Sequence, residues 1–415
     1  MKGYMYILKC ANGSYYTGST TDLEMRVEEH RNGLGANFTR KHLPVELVYA
    51  EEFSRIEDAF CREKQIQGWT RKKKEALIAG NFDKLKEFAK AGSTGSPTGY
   101  KYKSTVNIPV EKYAASLYNK TMTIKEILDN KKTIVSFEIF PPKQQVNFDN
   151  VVNAAKELSA LKPDFMSVTC GAGGGKRTNN VEIAQKIISF GTPALAHLTC
   201  VRNTPDSVRE TIRDMKGCGI ENVLALRGDM PRDLEEGETA LVPELCHANQ
   251  LVTILKEEGF CVGGACYPEG HPESANRDED VDNLKYKVDA GVDFLTTQMF
   301  FDNNMLYSYL YRLQSRGIRV PVFAGIMPIT NSNQVARMVK LSSAYIPSKL
   351  LSFCDKFENH PEAMWQAGID YATDQIIDLV SNGVRGIHIY TMNKPEVAIA
   401  IMKNIDKIIE AGNSI

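Results

Sequence analysis

The sequence lacks the long apolar runs and the paired cysteines that mark several classes of protein. No hydrophobic stretch approaches the ~18 residues that a membrane-spanning helix requires, which argues against an integral membrane protein. The first ten residues contain no apolar core followed by a small-residue cleavage site, as a signal peptide would. Nine cysteines are scattered without a C-x-x-C pair, which predicts reduced thiols in a cytoplasm rather than disulfides or a zinc site.

The composition is that of an ordinary globular protein, but the charge is unevenly distributed. Hydrophobic residues make up 43% and charged residues 24% of the 415 positions, which excludes a mostly disordered or collagen-like chain. Residues 1–121 carry 20 Lys and Arg against 14 Asp and Glu, whereas residues 122–415 carry 30 against 37. A basic first part and an acidic second part predict two modules with different partners. The predicted partner of the basic module is a polyanion.

The pattern along the chain divides at a segment of linker composition. Residues 1–91 predict a small α+β domain, whose expected elements are strands at 4–9, 15–18 and 45–53 and helices at about 22–30 and 56–67. Residues 92–121 begin with Gly-Ser-Thr-Gly-Ser-Pro-Thr-Gly and then show no clear period, which predicts a linker. Met122 then opens a second domain, residues 122–415, with Thr123 as a helix cap.

The second domain alternates apolar, β-branched segments with amphipathic helices. The eight segments are 133–140, 165–170, 194–200, 222–228, 261–267, 294–301, 320–326 and 386–392. Near-continuous apolar strands separated by helices predict a parallel sheet, and eight of them favour a closed (β/α)8 TIM barrel over an open sheet. The longer interval 326–386 leaves room for additional helices. The predicted fold class is therefore α/β.

Polar residues occur where six of these strands end. They are Glu138; Thr169 and Cys170; His197 and Thr199; Arg227 and Asp229; Tyr267 and His271; and Gln298. A TIM barrel places its active site at the carboxyl ends of its strands. Any one of these residues could be a satisfied buried group, but six strand ends that behave alike favour a shared site.

The segments around these residues resemble the methylenetetrahydrofolate reductase family. The motifs follow in order: SFEIFPPK (136–143), VTCGAGGG (168–175), HLTC (197–200), ALRGD (225–229), YPEGHPE (267–273), NLKYKVDAG (283–291), TTQMFFD (296–302), GIMPIT (325–330) and HIYTMN (388–393). The resemblance implies ping-pong hydride transfer from NADH or NADPH to FAD, then from the flavin to 5,10-methylenetetrahydrofolate. It further implies a role in one-carbon metabolism and methionine biosynthesis, and a homo-oligomeric assembly.

The resemblance also implies roles for individual residues. Glu138 matches the general acid that protonates the departing folate nitrogen, and apolar neighbours such as Phe137 and Ile139 would favour its protonated form. Asp229 matches an aspartate near the flavin that favours the cationic iminium, and Gln298 matches an amide that contacts folate or nicotinamide. The implied flavin contacts are Thr169, Cys170, Ala172, His197, Leu226, Arg227, Gly228, Asp229, Ala248, Tyr267, His271, Ser274, Asp280, Asn283 and Lys287. The implied folate contacts are Gln298, Gln334 and Lys394.

Some positions depart from the family pattern or carry no motif. Lys394 replaces a usual arginine, while Met299 and Met338 replace common phenylalanines, which predicts weaker folate binding without a change of reaction. The glycines at 171–175 form no G-x-G-x-x-G, which favours a tight turn beside the flavin over a Rossmann site. His360 and His388 are expected to be ordinary packing or surface residues. The sequence continues into no counterpart of the eukaryotic regulatory domain, so inhibition by S-adenosylmethionine is not expected.

The first domain resembles the GIY-YIG endonucleases. GYMYILKC (3–10) and YYTGST (15–20) correspond to the paired signature, although Tyr4-Met5-Tyr6 departs from its first triplet. The matching catalytic residues are Tyr6, Tyr16, Arg26 and His30, and Glu63 matches the metal ligand, implying Mg²⁺ and a DNA partner. The alternative is that Tyr6 and Tyr16 are plain strand aromatics and that Glu63 belongs to a solvated helix face. The basic run 71–74 is either a modest DNA footprint or a solvated helix surface.

Three hypotheses follow for the whole chain. The favoured one is a folate oxidoreductase with an appended GIY-YIG domain, because the predicted barrel occupies 294 of the 415 residues. The alternative is a metal-dependent endonuclease or nucleic-acid-binding protein that carries the barrel as a passenger. In the third, the fusion is artificial and Met122 is an independent start. The choice between NADH and NADPH stays open.

Overall fold

The computed structural model describes residues 2–31, 33–79, 81, 106–108, 122–142, 147–170, 179–230, 240–335, 338 and 344–414. The chain forms two compact units, Met1–Asn119 and Lys120–Ile415. Within these described ranges, no helix combines the length and the apolar character needed to cross a membrane. All nine cysteines are free thiols.

The first unit is built on an antiparallel sheet in the order β2-β1-β3-β4. Its strands are β1 (Gly3–Cys10), β2 (Tyr15–Thr20), β3 (Val45–Phe53) and β4 (Val106–Ile108). Its helices are α1 (Leu23–Arg31), α2 (Asn37–Arg40), α3 (Ile56–Gln67) and α4 (Arg71–Ile78). The predicted hairpin is confirmed, with Gly13 at a φ of 77°. β4 lies inside the segment expected to be a linker, where two β-branched residues add a short edge strand to β3.

Both faces of this sheet are buried, because successive side chains of a strand point to opposite faces. Tyr6 and Leu8 of β1 pack against Leu23 and Val27 of α1. Met5 and Ile7, on the other face of β1, share a second cluster with residues of α3 that include Ala59 and Ile66. Helices on both sides therefore cover the sheet, and the face that carries Tyr6 is the one beside α1.

The second unit is a closed parallel barrel, which confirms the (β/α)8 prediction. Its strands are β5 (Ile134–Ile139), β6 (Phe165–Val168), β7 (Ala194–Thr199), β8 (Asn222–Leu226), β9 (Cys261–Cys266), β10 (Phe294–Thr297), β11 (Val322–Ile326) and β12 (Gly386–Tyr390). Its helices are α5 (Ile124–Asn130), α6 (Phe148–Ala160), α7 (Asn180–Ser189), α8 (Pro205–Gly217), α9 (Ala248–Glu257), α10 (Arg277–Asp289), α11 (Asn303–Ser315), α12 (Ser348–Lys356), α13 (Pro361–Ser381) and α14 (Pro395–Ser414). Two helices, α12 and α13, precede the last strand; α13 packs in the main core of the barrel, and α12 is the additional helix for which the interval left room.

Apolar side chains and one helix close the N-terminal end of the barrel. Inward residues near the strand starts form a single cluster with α5: Ile124, Ile127, Leu128, Ile134, Phe165, Leu195, Leu224, Cys261, Phe294 and Phe323. The predicted Thr123 cap is confirmed, since Thr123 and Glu126 form a reciprocal capping box. The Asn222 side chain also accepts a hydrogen bond from the Ile124 backbone N–H at 2.8 Å. The opposite, carboxyl end is therefore where polar side chains can gather.

Candidate functional site

The carboxylate of Glu138 lies inside the carboxyl end of the barrel, with only 6% of the residue exposed. Ser167 on β6 donates a hydrogen bond to its Oε2 over 3.2 Å. His388 Nε2 on β12 and His197 Nε2 on β7 lie 3.4 and 3.7 Å from the same oxygen. Four strands that are neighbours around the barrel thus direct one carboxyl, one hydroxyl and two imidazoles toward a common point.

The prediction that apolar residues surround the Glu138 carboxyl is wrong. Phe137 and Ile139 belong to the apolar cluster between the strands and the outer helices, whereas Glu138 faces inward among polar groups. Adjacent residues of a strand point to opposite faces, so sequence neighbours are not spatial neighbours of a carboxylate. The structure therefore offers Glu138 hydrogen-bonding partners in place of an apolar pocket.

His388, which was expected to be an ordinary packing or surface residue, belongs to this polar group. It is 1% exposed, and its Nδ1 lies 2.8 Å from Ser136 Oγ. The Phe165 ring stacks on it at a centroid distance of 6.3 Å and an interplanar angle of 16°. The sequence did contain a signal for this position. In Gly-Ile-His-Ile-Tyr the histidine alternates with two isoleucines, so it shares a face of the strand with the glycine and the tyrosine.

Cationic side chains gather where β8 and β9 end. The guanidinium of Arg227 donates two hydrogen bonds to the carboxylate of Glu273, at 2.5 and 2.7 Å. Lys287 donates to the Ala265 carbonyl at 2.7 Å, and burial lowers the pKa of its ammonium group. Burial likewise lowers the pKa of His271. Gly228, at a φ of 87°, turns the chain directly after Arg227.

This donor set fits a cofactor that carries a diphosphate. A guanidinium, an ammonium and an imidazole converge beside a glycine turn, which is the chemistry that anionic phosphates require. Tyr267 stands edge-on to the His271 ring at 4.7 Å. Burial raises the pKa of Tyr267 to about 12, so its phenol keeps its proton at neutral pH and remains a hydrogen-bond donor.

The remaining predicted flavin contacts surround the same end of the barrel. Thr169 and Cys170 follow β6, Leu226 ends β8, exposed Asp229 follows Gly228, Ser274 lies between β9 and α10, Ala248 begins α9, and Asp280 and Asn283 lie on α10. Burial raises the pKa of the Asp280 carboxyl, while the His271 backbone N–H that it accepts opposes that rise. Ala172 lies outside the described residues.

The predicted folate contacts lie after three further strands. Gln298 follows β10, and its Oε1 accepts a hydrogen bond from the Met299 backbone N–H at 2.9 Å. The Oε1 of Gln334, after β11, accepts from the backbone N–H groups of Thr330 and Asn331, both at 2.9 Å. This oxygen therefore closes a turn, which leaves the amide nitrogen as the group of Gln334 that could meet a ligand. Lys394, after β12, is exposed.

The two methionines singled out in the sequence differ in their surroundings. Met338 is 6% exposed and packs in a cluster with Ile329, Val335 and Leu350. Met299 is only partly buried and packs against the edge of that cluster. The Met338 substitution therefore changes internal packing, whereas Met299 is the methionine with surface left for a ligand.

A second polar site lies in the first unit, between β1 and α1. The Tyr6 hydroxyl lies 2.9 Å from His30 Nε2, and His30 Nδ1 lies 2.6 Å from Thr39 Oγ1. Because Thr39 donates its own proton to the Ala36 carbonyl, it must accept one from Nδ1, and Tyr6 must then donate to Nε2. Burial lowers the pKa of His30 to about 4, so the imidazole is neutral at pH 7.

The other predicted nuclease residues surround this pair. The Tyr16 ring lies 5.0 Å from the His30 ring, and a side chain on Gly18 would come within 2.5 Å of the Tyr6 hydroxyl. Arg26 of α1 pairs with Glu29, which raises the pKa of its guanidinium most, and its contact with Tyr6 raises that pKa further. Gly18 belongs to the second signature triplet, and no larger residue fits there because its side chain would collide with the Tyr6 ring.

Glu63 of α3 is the predicted metal ligand. It is 8% exposed; its Oε2 accepts from Ser19 Oγ at 2.6 Å and its Oε1 from Gln67 Nε2 at 2.6 Å. In the part of the chain that the structure describes, no group of three or more His, Cys, Asp or Glu side chains is arranged to hold a metal. Mg²⁺ commonly binds through one or two carboxylates, waters and substrate phosphates, so a single carboxylate fits that ion without caging it.

Comparisons with known proteins identify a family for each of the two units. Residues 123–406 match the family model "Methylenetetrahydrofolate reductase", and residues 2–76 match the model "GIY-YIG catalytic domain". The 5,10-methylenetetrahydrofolate reductase of Escherichia coli (strain K12) is 38% identical over 269 residues, which are 64% of this chain and 88% of the relative. Methylenetetrahydrofolate reductase (NADH) 1 of Arabidopsis thaliana is 32% identical over 302 residues, 69% of this chain and 51% of the relative.

Proposed function

The chain belongs to the methylenetetrahydrofolate reductase family and is an oxidoreductase of methylenetetrahydrofolate, and from this premise we propose that bound FAD and a nicotinamide donor, NADH or NADPH, sustain a ping-pong reduction to 5-methyltetrahydrofolate. The observation that carries the proposal is the buried Glu138 carboxyl at the carboxyl end of the barrel, the end where Arg227, His271 and Lys287 also lie. An acid and an anion-binding pocket are the two things that this reaction asks of the protein.

Glu138 is the proton donor of the folate half-reaction. Opening the methylene bridge requires a proton on the departing nitrogen, and a carboxylic acid inside the barrel can deliver it: its O–H bond breaks, an N–H bond forms and a carboxylate remains. Ser167 holds the carboxyl group in place through a hydrogen bond to Oε2. The negative charge of Asp229, near the same opening, favours the cationic iminium that results.

Arg227, His271 and Lys287 are the residues that would hold the diphosphate of FAD. When bound, FAD supplies a carrier that accepts a hydride from the nicotinamide and gives it to the folate. Gln298, at the end of β10, would orient folate and nicotinamide in turn, because one amide can both donate and accept a hydrogen bond.

An anaerobic titration of the purified full chain tests this proposal. The flavin absorbance should bleach on addition of NADH or NADPH and return on addition of methylenetetrahydrofolate, and the donor that bleaches it at the lower concentration is the preferred one. A protein that binds no flavin, or whose reduced flavin ignores the folate, contradicts the proposal.

We also propose that the first unit is a Mg²⁺-dependent nuclease, because Tyr6, Tyr16, Arg26, His30 and Glu63 lie together. As a water attacks, its proton can pass to the Tyr6 oxygen while Tyr6 passes its own proton to the neutral His30, so that no free phenolate is formed. Arg26 would neutralise the phosphate, and the metal on Glu63 would stabilise the leaving oxygen.

Cleavage of plasmid DNA by the full chain with Mg²⁺ tests this second activity. Tyr6→Phe removes only one hydroxyl, and we expect it to reduce cleavage at least tenfold. Tyr4→Phe, on the same strand, is the matched control and should cleave as the unaltered protein does. Equal cleavage by the Tyr6 variant, or no cleavage by the unaltered chain, overturns the proposal.

The proposal includes a cytoplasmic location and self-association. The nine free thiols support a cytoplasmic location, because a reducing compartment keeps thiols from forming disulfides. Fractionation of native cells and sedimentation velocity of the purified protein test the two statements separately.

A further inference from the structure

We propose that Asn393 is a positioning residue that, together with Thr391, extends the pairing of β12 with β5 beyond its last backbone partners and thereby fixes the place of Glu138. The inference rests on the proposed role of Glu138 as the proton donor. It concerns two side chains that follow β12, each 253 residues along the chain from its hydrogen-bond partner beside the acid.

The backbone ladder between β12 and β5 ends at the pair of Tyr390 and Glu138, and beyond that pair two side chains continue it. Thr391 Oγ1 donates a hydrogen bond to the Glu138 carbonyl at 2.8 Å. The Asn393 amide makes two bonds to Phe140: its Oδ1 accepts from the backbone N–H at 2.8 Å, and its Nδ2 donates to the carbonyl at 2.7 Å. The backbone on the carboxyl side of the acid is therefore held by the segment after β12.

A primary amide matches this position because it presents a carbonyl oxygen and an N–H group side by side, as the edge of a strand does. The two contacts also decide the orientation of the amide. An N–H group faces Oδ1 and a carbonyl faces Nδ2, so the reversed amide would make neither bond. The side chain of Asn393 therefore takes the place of one further strand residue beside Phe140.

The chain must turn sharply after Thr391 to bring this amide back to β5. Met392 and Asn393 have φ angles of 53° and 58°, and the Lys394 backbone N–H donates to the Thr391 carbonyl at 3.0 Å. Positive φ at both central residues is the pattern of a type I′ turn, where asparagine is usual and methionine is not. Among the residues that the structure describes, no other two consecutive non-glycine residues have positive φ. Strain of this kind persists where surrounding contacts impose it, and it is concentrated at functional sites.

The turn links two groups of the folate half-reaction. Glu138, the proposed acid, lies two residues before Phe140, and Lys394, a proposed folate contact, directly follows Asn393. One hydrogen-bonded unit therefore sets the distance between the group that donates the proton and a group that holds the substrate. Because proton transfer requires hydrogen-bond distance, a small displacement of the acid should slow this half-reaction. Reduction of the flavin is a hydride transfer that needs no protein acid, so it should not depend on Asn393.

The other end of β5 is held by the same kind of contact, which supplies a matched control. Asn413 of α14 accepts from the Thr133 backbone N–H at 2.9 Å through Oδ1 and donates to the Thr133 carbonyl at 3.0 Å through Nδ2. This contact lies at the amino end of the strand, whereas Glu138 lies near its carboxyl end. Two asparagines thus hold one strand with equivalent bonds, and only one of them is beside the acid.

Asn393→Gly tests the proposal, because it removes the amide and keeps a residue that adopts positive φ without strain. In stopped-flow experiments on the full chain with FAD, we expect the limiting rate of flavin reoxidation by methylenetetrahydrofolate to fall at least tenfold. The limiting rate of flavin reduction by NADH or NADPH should change less than twofold. Asn413→Ala loses the equivalent bonds and should change both rates less than twofold, even where it lowers the melting temperature as much.

Three results of these measurements would overturn the positioning role. They are an unchanged reoxidation rate in Asn393→Gly, an equal loss in both half-reactions, and the same loss in Asn413→Ala. The last two are what a merely structural contact would produce.

Hydrogen–deuterium exchange, followed by mass spectrometry of the full chain, gives a readout that is independent of turnover. Pro141 and Pro142 have no N–H group, so a peptide that ends with them carries the Phe140 amide as its last exchangeable position. We expect this amide to exchange at least tenfold faster in Asn393→Gly than in the unaltered protein, and at the unaltered rate in Asn413→Ala. Unchanged exchange in Asn393→Gly contradicts the proposed contact.

The outcomes separate this inference from the proposed function. If Glu138→Gln leaves flavin reoxidation by the folate unchanged, the proposed role of Glu138 fails. If Glu138→Gln slows reoxidation while Asn393→Gly does not, only the positioning role fails. Should Asn393→Gly not fold, Thr391→Val removes the bond to the Glu138 carbonyl with little change of shape. It should slow reoxidation alone by about threefold, and an unchanged rate then overturns the inference.

Discussion

At Glu138, three side chains from three different strands lie near one carboxylate oxygen, at 3.2, 3.4 and 3.7 Å. The structure builds a comparable group at Tyr6, where a neutral histidine accepts the phenolic proton. In both places an imidazole nitrogen lies within reach of the oxygen of another titratable group. Single-residue changes at these two groups should therefore have chemical consequences that differ from simple loss of packing.

Glu138→Gln should slow the folate half-reaction by roughly 10²–10⁴-fold, the usual contribution of a general acid. Glutamine keeps the shape of the side chain but has no acidic proton. Stopped-flow reoxidation of reduced flavin by methylenetetrahydrofolate measures this, with reduction by NADH or NADPH as the internal control. Equal losses in both half-reactions would point to damage of the flavin site instead.

His30 should make the stability of the first unit depend on pH. Burial lowers its pKa from 6.5 to about 4, so between these values the unfolded chain binds a proton that the folded unit does not. The free energy of unfolding should therefore fall as the pH drops through this window, by roughly 1 kcal/mol per pH unit. Above pH 6.5 His30 is neutral in both states, so it should no longer make the free energy of unfolding depend on pH.

Urea unfolding at pH 7 and pH 5 measures this dependence through the fluorescence of Trp69, in a Trp365→Phe background that leaves no other tryptophan. His30→Gln should remove most of the difference between the two pH values. His42→Gln, at a half-buried histidine of the same unit, is the control and should retain it. A difference that survives His30→Gln would place the titrating group elsewhere.

At the scale of elements, helix α13 depends on one glycine for its seat against the barrel. A β-carbon added at Gly368 would lie 1.7 Å from the Ile329 carbonyl oxygen, a backbone atom that cannot move aside as a flexible side chain could. Ile329 belongs to the segment that follows β11, near Gln334. The close approach of this helix thus supports a loop that the proposed folate site uses.

Gly368→Ala should destabilise the barrel by about 1–3 kcal/mol or more, the usual range for an overpacked core. Gly217→Ala is a matched control, because an added β-carbon there meets no atom within 4 Å. It should leave stability unchanged or raise it by about 0.4–1 kcal/mol through lower entropy of the unfolded chain. Chemical denaturation of both variants measures the difference, and equal stabilities would contradict the close contact.

At the scale of the whole molecule, the chain consists of two compact units of opposite charge balance. We expect calorimetry to show two unfolding transitions, one for each unit. If the barrel binds FAD as proposed, FAD at about 100 times its dissociation constant should stabilise that unit by about 2.7 kcal/mol and raise one transition by about 4 °C. The other transition should stay where it is.

The Gly368→Ala variant assigns the two transitions, since only the barrel transition should move. A single transition, or a shift of both with FAD, would show that the two units unfold as one. Addition of DNA to the same sample should raise the transition that FAD leaves alone, because a ligand stabilises only the unit that it binds.

Local patterns in the sequence determined a large part of this protein. Alternation of apolar strands with amphipathic helices predicted the barrel, and the Asn12-Gly13 turn predicted the hairpin; both are confirmed. The motifs of the two families are likewise confirmed by the family matches. These features are readable because backbone periodicity and turn chemistry are properties of consecutive residues. The β4 strand was missed because three residues form no period of their own and need β3 to pair with.

Only the tertiary structure decided which side chains meet. Closure of the barrel brings β12 beside β5, in a register that pairs His388 with Ser136 and Tyr390 with Glu138. No local spacing encodes this contact, because the two strands are about 250 residues apart and their register is fixed by the packing of the whole sheet. The sequence alone therefore singled out Glu138 as the proposed acid. The fold supplied its partner His388, because barrel closure and the inward face of β12 bring that ring to the carboxyl.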